Sequence, residues 1–197
     1  LSAETVPVTV TTRRSETVVS DDEQPHKAKT DKIPTLRPAF AKDGTITAAN
    51  ASSISDGASA IVLMKASEAE KRGLKPMAKI VAHSRQSQAP EDFTKAPVGS
   101  LTKLYAKTGW TKDDVDLFEI NEAFAMVTML TMQEHGLNHS KVNIHGGACA
   151  QGHPIGSTGS RIIISLMYAL KQYGKQKGIA SLCIGGGEAT AIALEVM

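Results

Sequence analysis

"GSTGSRIIISLMYALKQYGKQKGIASLCIGGGEATAIALEV", residues 156–196, carries the pattern of a helix, a strand, a turn and a second strand in unbroken order. The run "RIIISLMYAL" is apolar enough to be buried on most sides, and Gly174 is placed to stop the helix. "IASLCI" at 179–184 predicts a buried strand, Gly185 to Gly187 a tight turn, and "EATAIALEV" at 188–196 a final strand. A helix laid against two such strands is a piece of a layered α/β domain.

The same alternation extends upstream. "AKIVAHSRQ" (78–86) predicts a strand and "PVGSLTKLYAKTG" (97–109) an amphipathic helix stopped by Gly109. "VDLFEI" (115–120) predicts a short apolar strand. "NEAFAMVTMLTMQEHG" (121–136) predicts a helix with Asn121 as its N-cap, and "KVNIHGG" (141–147) another strand. An α/β layered domain is therefore expected over residues 76–197. Before it the signals weaken. "ETVPVTV" (4–10) predicts an edge strand, because Pro7 lacks an N–H. "DGASAIVLMKASEAEKRG" (56–73) predicts a buried strand at 58–64 and a helix from about 66 to Gly73. Residues 1–43 carry no glycine and four of the eight prolines, whereas residues 146–187 carry ten of the sixteen glycines. An irregular excursion is expected first, and a tightly turned core last.

Composition narrows the function classes. In 197 residues, 41% hydrophobic and 21% charged content is ordinary for a globular domain. A net charge of +2, with Lys and Arg spread along the chain, gives no electrostatic footprint for nucleic acid. No apolar run reaches membrane-spanning length, and the first residues carry no apolar signal core. Two cysteines make no disulfide framework, so a reducing, cytoplasmic compartment is expected.

Chemistry-bearing residues cluster at predicted strand-to-helix and strand-to-turn junctions. His153 lies in "GGACAQGHPIGSTGS", a glycine-rich loop before a helix start that Gly156, Ser157 and Gly159 leave uncrowded. Cys183 ends a buried strand just before three glycines, and Asn121 follows another strand. Ligands of α/β sheets collect at such carboxyl ends. Each residue also has a structural reading: a hydrogen-bonded loop histidine, a small core cysteine, a plain helix cap, a hairpin of glycines. Cys149 lies four residues before His153, but one such pair lacks the ligand count of a zinc site, so no metal is expected.

The motifs "NEAFA", "GGACAQGHPIGSTGSR" and "CIGGG", preceded by "GTITAANASSISDGASA", together resemble the thiolase family, the acetyl-CoA acetyltransferases or β-ketothiolases. The resemblance covers essentially the whole chain and implies the C-terminal half of a thiolase fold. By that resemblance, residues 1–54 are part of the loop domain, 55–75 the last strand and helix of the N-terminal domain, and 76–197 the C-terminal domain. It implies an acyltransferase whose parent enzyme cleaves 3-ketoacyl-CoA with coenzyme A, or condenses two acetyl-CoA, as in fatty acid metabolism. Coenzyme A thioesters are substrates there, and no metal or redox cofactor is implied. The nucleophilic cysteine belongs to the missing N-terminal half, and neither cysteine here matches it. The chain alone is therefore expected to be inactive, and the parent to be a dimer or tetramer.

Residue by residue, the resemblance makes His153 the group that activates the nucleophile, and Cys183 the acid/base on the acetyl methyl group. It makes Asn121 the holder of a water in one oxyanion hole, and Gly185 a backbone donor in the second. Ser52 and Phe40 match coenzyme A contacts. Ala48, Ala123 and Phe124 match the pantetheine channel. Phe93 falls where other members carry methionine. Cys149 and Gln151 stand where aliphatic residues are usual, and Cys149 is read as packing. A decarboxylating ketoacyl synthase is disfavoured, because those sites lack the "CIGGG" cysteine. A non-catalytic module that binds coenzyme A or a partner subunit is the rival of another class.

Overall fold

A computed structural model describes residues 1–197. Its organising element is a four-stranded mixed sheet in the order β3-β6-β5-β4. The strands are β3 (Ala78–Ser87), β4 (Leu117–Ile120), β5 (Lys177–Ile184) and β6 (Glu188–Val196). β4 and β5 run parallel, while β6 is antiparallel to both β5 and β3. The three glycines close the β5–β6 hairpin with Ile184 paired to Glu188. Gly186 and Gly187 take φ of +90° and +88°, a region that L side chains rarely enter.

Side chains alternate across the sheet and feed two cores. On one face, Phe118 and Ile120 of β4, Ile179 of β5, and Ala191 and Ala193 of β6 pack with Leu101 and Leu104 of α3 (Ala96–Thr108). On the other, Leu117, Ala180 and Leu194 meet Ile162, Leu166, Ala169 and Leu170 of α6 (Thr158–Gln172). Those four helix positions follow the spacing that puts one stripe on the sheet. Fully burying each large aliphatic side chain is worth about 1.5–3 kcal/mol. The helix approaches closely: a Cβ built on Gly178 would lie 2.8 Å from methyl carbons of both Leu166 and Leu170. α4 (Ala125–His135) lies beside α3. The layered α/β expectation holds in this region.

Three local expectations fail. Residues 58–64 form no strand. The chain offers no neighbouring strand for this apolar run, and Val62 and Leu63 are 83% and 70% exposed. The helix behind it forms as α2 (Ala66–Lys71). "KVNIHGG" is not a strand either: a 3₁₀ turn occupies His139–Lys141, and only Val142 bridges to Phe118. Asn143 then takes a left-handed φ of 48°, which turns the chain off the sheet. Lastly, Asn121 does not cap α4. The helix begins four residues later, with Phe124 extended at the cap position and the Ala125 N–H donating to the Asn50 carbonyl at 2.9 Å.

The N-terminal region is looser. β1 (Val8–Thr11) and β2 (Glu16–Val19) pair as an exposed hairpin, followed by the one-turn helix α1 (Gln24–Lys27). No helix is long and apolar enough to cross a membrane.

Candidate active site

The site lies at the carboxyl end of the parallel pair β4–β5. The Asn121 N–H donates to the Ser181 carbonyl at 2.9 Å, so the residue leaving β4 is held beside the last residues of β5. Cys183 lies two residues further along that strand, buried, and paired with Ala189 of β6. Asn121 lies one residue past the Ile120–Ser181 pair and Cys183 two residues past it on the neighbouring strand, so both stand at the same end of the sheet. Burial pushes the Cys183 thiol above its ordinary pKa. It is held as a neutral thiol, not as a standing nucleophile.

The Asn121 side chain is only 2% exposed, yet neither its Oδ1 nor its Nδ2 meets a partner within the protein. Leaving a buried amide unmatched costs about 1–3 kcal/mol per group. An unmatched amide of this kind is a candidate to meet a group that this chain does not itself supply.

His153 is half-buried beyond the one-turn helix α5 (Ala148–Gln151). Burial, and secondarily the Arg161 guanidinium, hold its pKa below the ordinary histidine range. The neutral imidazole, the form able to accept a proton, is therefore favoured. Its Nδ1 lies 2.7 Å from the hydroxyl of Thr158, at the start of α6.

Residues 50–59 lace these loops together, a role that their polar composition did not signal. The Ser52 N–H and hydroxyl both donate to the Ala123 carbonyl, at 3.2 and 3.0 Å. The His153 N–H donates to the Ser53 carbonyl at 3.0 Å, and Ser59 shares hydrogen bonds with Ser157 and Ser160. Glu122 adds a second tie. Its carboxylate accepts the Cys149 N–H at 3.1 Å and the Asn143 Nδ2–H at 3.1 Å. A Cβ on Gly147 would meet that carboxylate, so any side chain there would displace Glu122 from these hydrogen bonds. Glu122 sits in "NEAFA", and its adjacency to Asn121 was the one available signal.

Cys149 is half-buried, and its thiol is pushed up to about 12 by burial first and by the Glu122 carboxylate second. Gln151 donates to the His145 carbonyl at 3.0 Å, which is loop structure.

The expected binding residues divide. Phe40, Phe124 and Phe93 form an aromatic row, with ring centroids 5.9 Å apart for the first pair and 6.4 Å for the second, both edge-on. Phe40 is nonetheless 73% exposed. Ala123 is half-buried beside Ser52, whereas Ala48 is exposed. Gly185 is exposed at the hairpin tip, and a Cβ there would meet nothing within 4 Å.

Comparison with known proteins adds an independent line. Residues 74–196 match the thiolase C-terminal domain, and residues 1–67 match the thiolase N-terminal domain. The mouse cytosolic acetyl-CoA acetyltransferase is 47% identical over 195 residues, which is 98% of this chain and 49% of the relative. That of Allochromatium vinosum is 45% identical over 98% of this chain and 50% of its own length. The crystal structure of the Bacillus anthracis acetyl-CoA acetyltransferase superposes with a TM-score of 0.94 at 44% identity, covering 98% of this chain and 49% of that one. Human mitochondrial 3-ketoacyl-CoA thiolase gives 0.88 at 33% identity, covering 97% and 49%. The chain spans about half the length of the relatives it matches. With this sequence similarity, and a fold shared over nearly all of its residues, the chain belongs to the thiolase family.

Proposed function

We propose that this chain supplies the acid/base half of a thiolase active site, acting on coenzyme A thioesters in thiolysis of 3-ketoacyl-CoA or condensation of two acetyl-CoA. The observation that carries the reading is the buried Asn121 amide, unpartnered within the protein at the end of the sheet where Cys183 also stands. Claisen chemistry needs a base for the carbon acid and donors for the developing oxyanion. Cys183 is the base, passing between thiol and transient thiolate. Asn121 orients a donor to the thioester oxygen, and the Gly185 N–H, open at the hairpin tip, is a second donor. His153, neutral by burial, takes the proton of a nucleophilic thiol.

That nucleophile is neither cysteine of this chain. Cys149 is held protonated by burial and Glu122, and Cys183 is committed as base. It comes from a region corresponding to the half of the relatives that this chain does not span. The aromatic row, with Ser52, Ala48 and Ala123, borders the pantetheine path. No metal or redox group takes part. The two free cysteines and the mouse relative's cytosolic name support a cytosolic setting, and the relatives' names support a place in acyl-CoA metabolism.

The test is an assay of acetoacetyl-CoA cleavage by free coenzyme A. A thiolase-length protein ending in this sequence is expected to turn over, and the 197-residue chain alone is not. Coenzyme A binding without turnover by the thiolase-length protein would replace this reading with that of a non-catalytic binding module.

A further inference from the structure

We infer that Thr158 is a positioning residue that fixes which ring nitrogen of His153 carries the proton. The Thr158 hydroxyl meets two groups, His153 Nδ1 at 2.7 Å and the Pro154 carbonyl oxygen at 3.0 Å. It has one proton to give. The carbonyl can only accept; it takes the N–H groups of Ser157 and Thr158, both at 2.8 Å, and the hydroxyl is a third donor that shares its lone pairs. If the hydroxyl donated to Nδ1 instead, its oxygen would face the carbonyl oxygen at 3.0 Å with no proton between them, a repulsive contact. The consistent arrangement is O–H donating to Pro154 and Nδ1–H donating to the Thr158 oxygen. Neutral His153 then keeps Nε2 bare, as the only nitrogen able to accept a proton. Thr158 is fully buried, so water does not compete for these bonds.

The role of Nε2 as the base rests on the proposed thiolase reading, but the protonation pattern does not. The experiment is solid-state NMR of the ring nitrogens in the 197-residue chain with isotope-labelled histidine, which reads the rings in assemblies as well as in solution. His153→Gln identifies the His153 signals among the six histidines. The expected wild-type pattern at neutral pH is protonated Nδ1 and bare Nε2. Thr158→Val, which keeps the side chain's shape and removes the hydroxyl, is expected to shift the ring mainly to the Nε2–H form. Thr158→Ser is expected to restore the wild-type pattern. A wild-type ring protonated on Nε2, or a valine variant with an unchanged pattern, would overturn the inference and leave the functional reading standing. Loss of the functional reading in the activity assay would leave the ring pattern untouched.

Discussion

The Glu122 carboxylate accepts the backbone N–H of Cys149 at 3.1 Å, joining the loop that leaves β4 to the loop that carries His153. The other carboxylate oxygen holds Asn143, whose side chain in turn bonds both the N–H and the C=O of Ile120 at 2.8 Å. One glutamate thus ties the ends of three segments that carry or flank the proposed site. The frame is polar and half-buried, so its geometry depends on hydrogen bonds rather than on packing.

Glu122→Ala removes two hydrogen bonds to a charged acceptor, each worth about 1.5–3 kcal/mol before compensating water contacts. Partial exposure of the frame reduces that sum, and urea denaturation is expected to show a loss of about 2 kcal/mol. Glu122→Gln keeps one acceptor but presents an N–H₂ to a second donor, so it should lie between alanine and wild type. Equal stability of all three proteins would remove Glu122 from the frame.

The layered domain was legible because its period was. Leu101 and Leu104, and Ile162, Leu166 and Leu170, repeat at helical spacing, while strands β3, β5 and β6 carry side chains for two different faces. The motif residues stood out because glycines and a proline bracket them. What stayed illegible depends on distant partners. The run 58–64 reads as a strand by composition, but pairing is a property of neighbours, and it has none here. Asn121 reads as a cap by residue type, but the Asn50 carbonyl takes the first helix N–H instead. Ser52 and Ser53 read as loop, although their main chain links Ala123 to His153 across the site. Thr158 gave no signal beyond its place five residues after the histidine.

Glu119 of β4 is buried, and its nearest cation, Arg161, stands 3.9 Å away, too far for a strong hydrogen bond. Burial dominates, and its pKa is pushed up to about 8 from the ordinary 4.5, so the carboxyl is mostly protonated at neutral pH. The folded state therefore holds a proton that the unfolded chain releases above its ordinary pKa. The sign follows: this contribution to stability is full below about pH 4.5 and is lost as pH rises through about 8. The slope approaches about 1.4 kcal/mol per pH unit where one proton separates the states. Glu119→Gln is expected to flatten the decline between those limits, measured by denaturation at stepped pH. An unchanged slope would place the titration elsewhere.

The two cysteines are expected to differ in consequence. In a thiolase-length protein, Cys183→Ser should cut turnover by roughly 10²- to 10⁴-fold, the usual worth of a general base. Acyl transfer to the nucleophile should persist, seen by mass spectrometry as an acylated protein. Cys149→Ala should change turnover little, because its thiol is held protonated and faces the Glu122 carbonyl at 3.9 Å. Equal damage from both substitutions would reassign the base.

Phe93 abuts Phe124 edge-on at 6.4 Å, at the inner end of the aromatic row. A ring there is stiffer than a methionine, so Phe93→Met should alter which acyl chains fit. Pocket changes of about a methylene's size shift discrimination by about 1–3 kcal/mol. The ratio of kcat/KM values for linear and 2-methyl-branched 3-ketoacyl-CoA substrates is expected to change by roughly ten-fold or more on that scale. Identical ratios in the two proteins would take Phe93 out of the acyl pocket.

The exposed run at 58–64 makes a prediction about the chain itself. Val62, Leu63 and Met64 are 83%, 70% and 43% exposed, and Ile54 nearby in sequence is 94% exposed. Extended backbone in this run has no strand partner, so its N–H and C=O groups are open together with its apolar side chains. Stable monomers rarely leave contiguous apolar surface beyond a few hundred Å² in water. The isolated 197-residue chain is therefore expected to associate, with a sedimentation mass that rises with concentration. Replacing Val62 and Leu63 with lysine and glutamate should lower that mass, since charge on an unpaired strand opposes edge pairing. In a thiolase-length protein the same run should be covered, so its backbone amides should exchange with deuterium far more slowly than in the isolated chain. A monomeric chain at every concentration, or equal exchange in the two proteins, would show that this apolar run needs no partner.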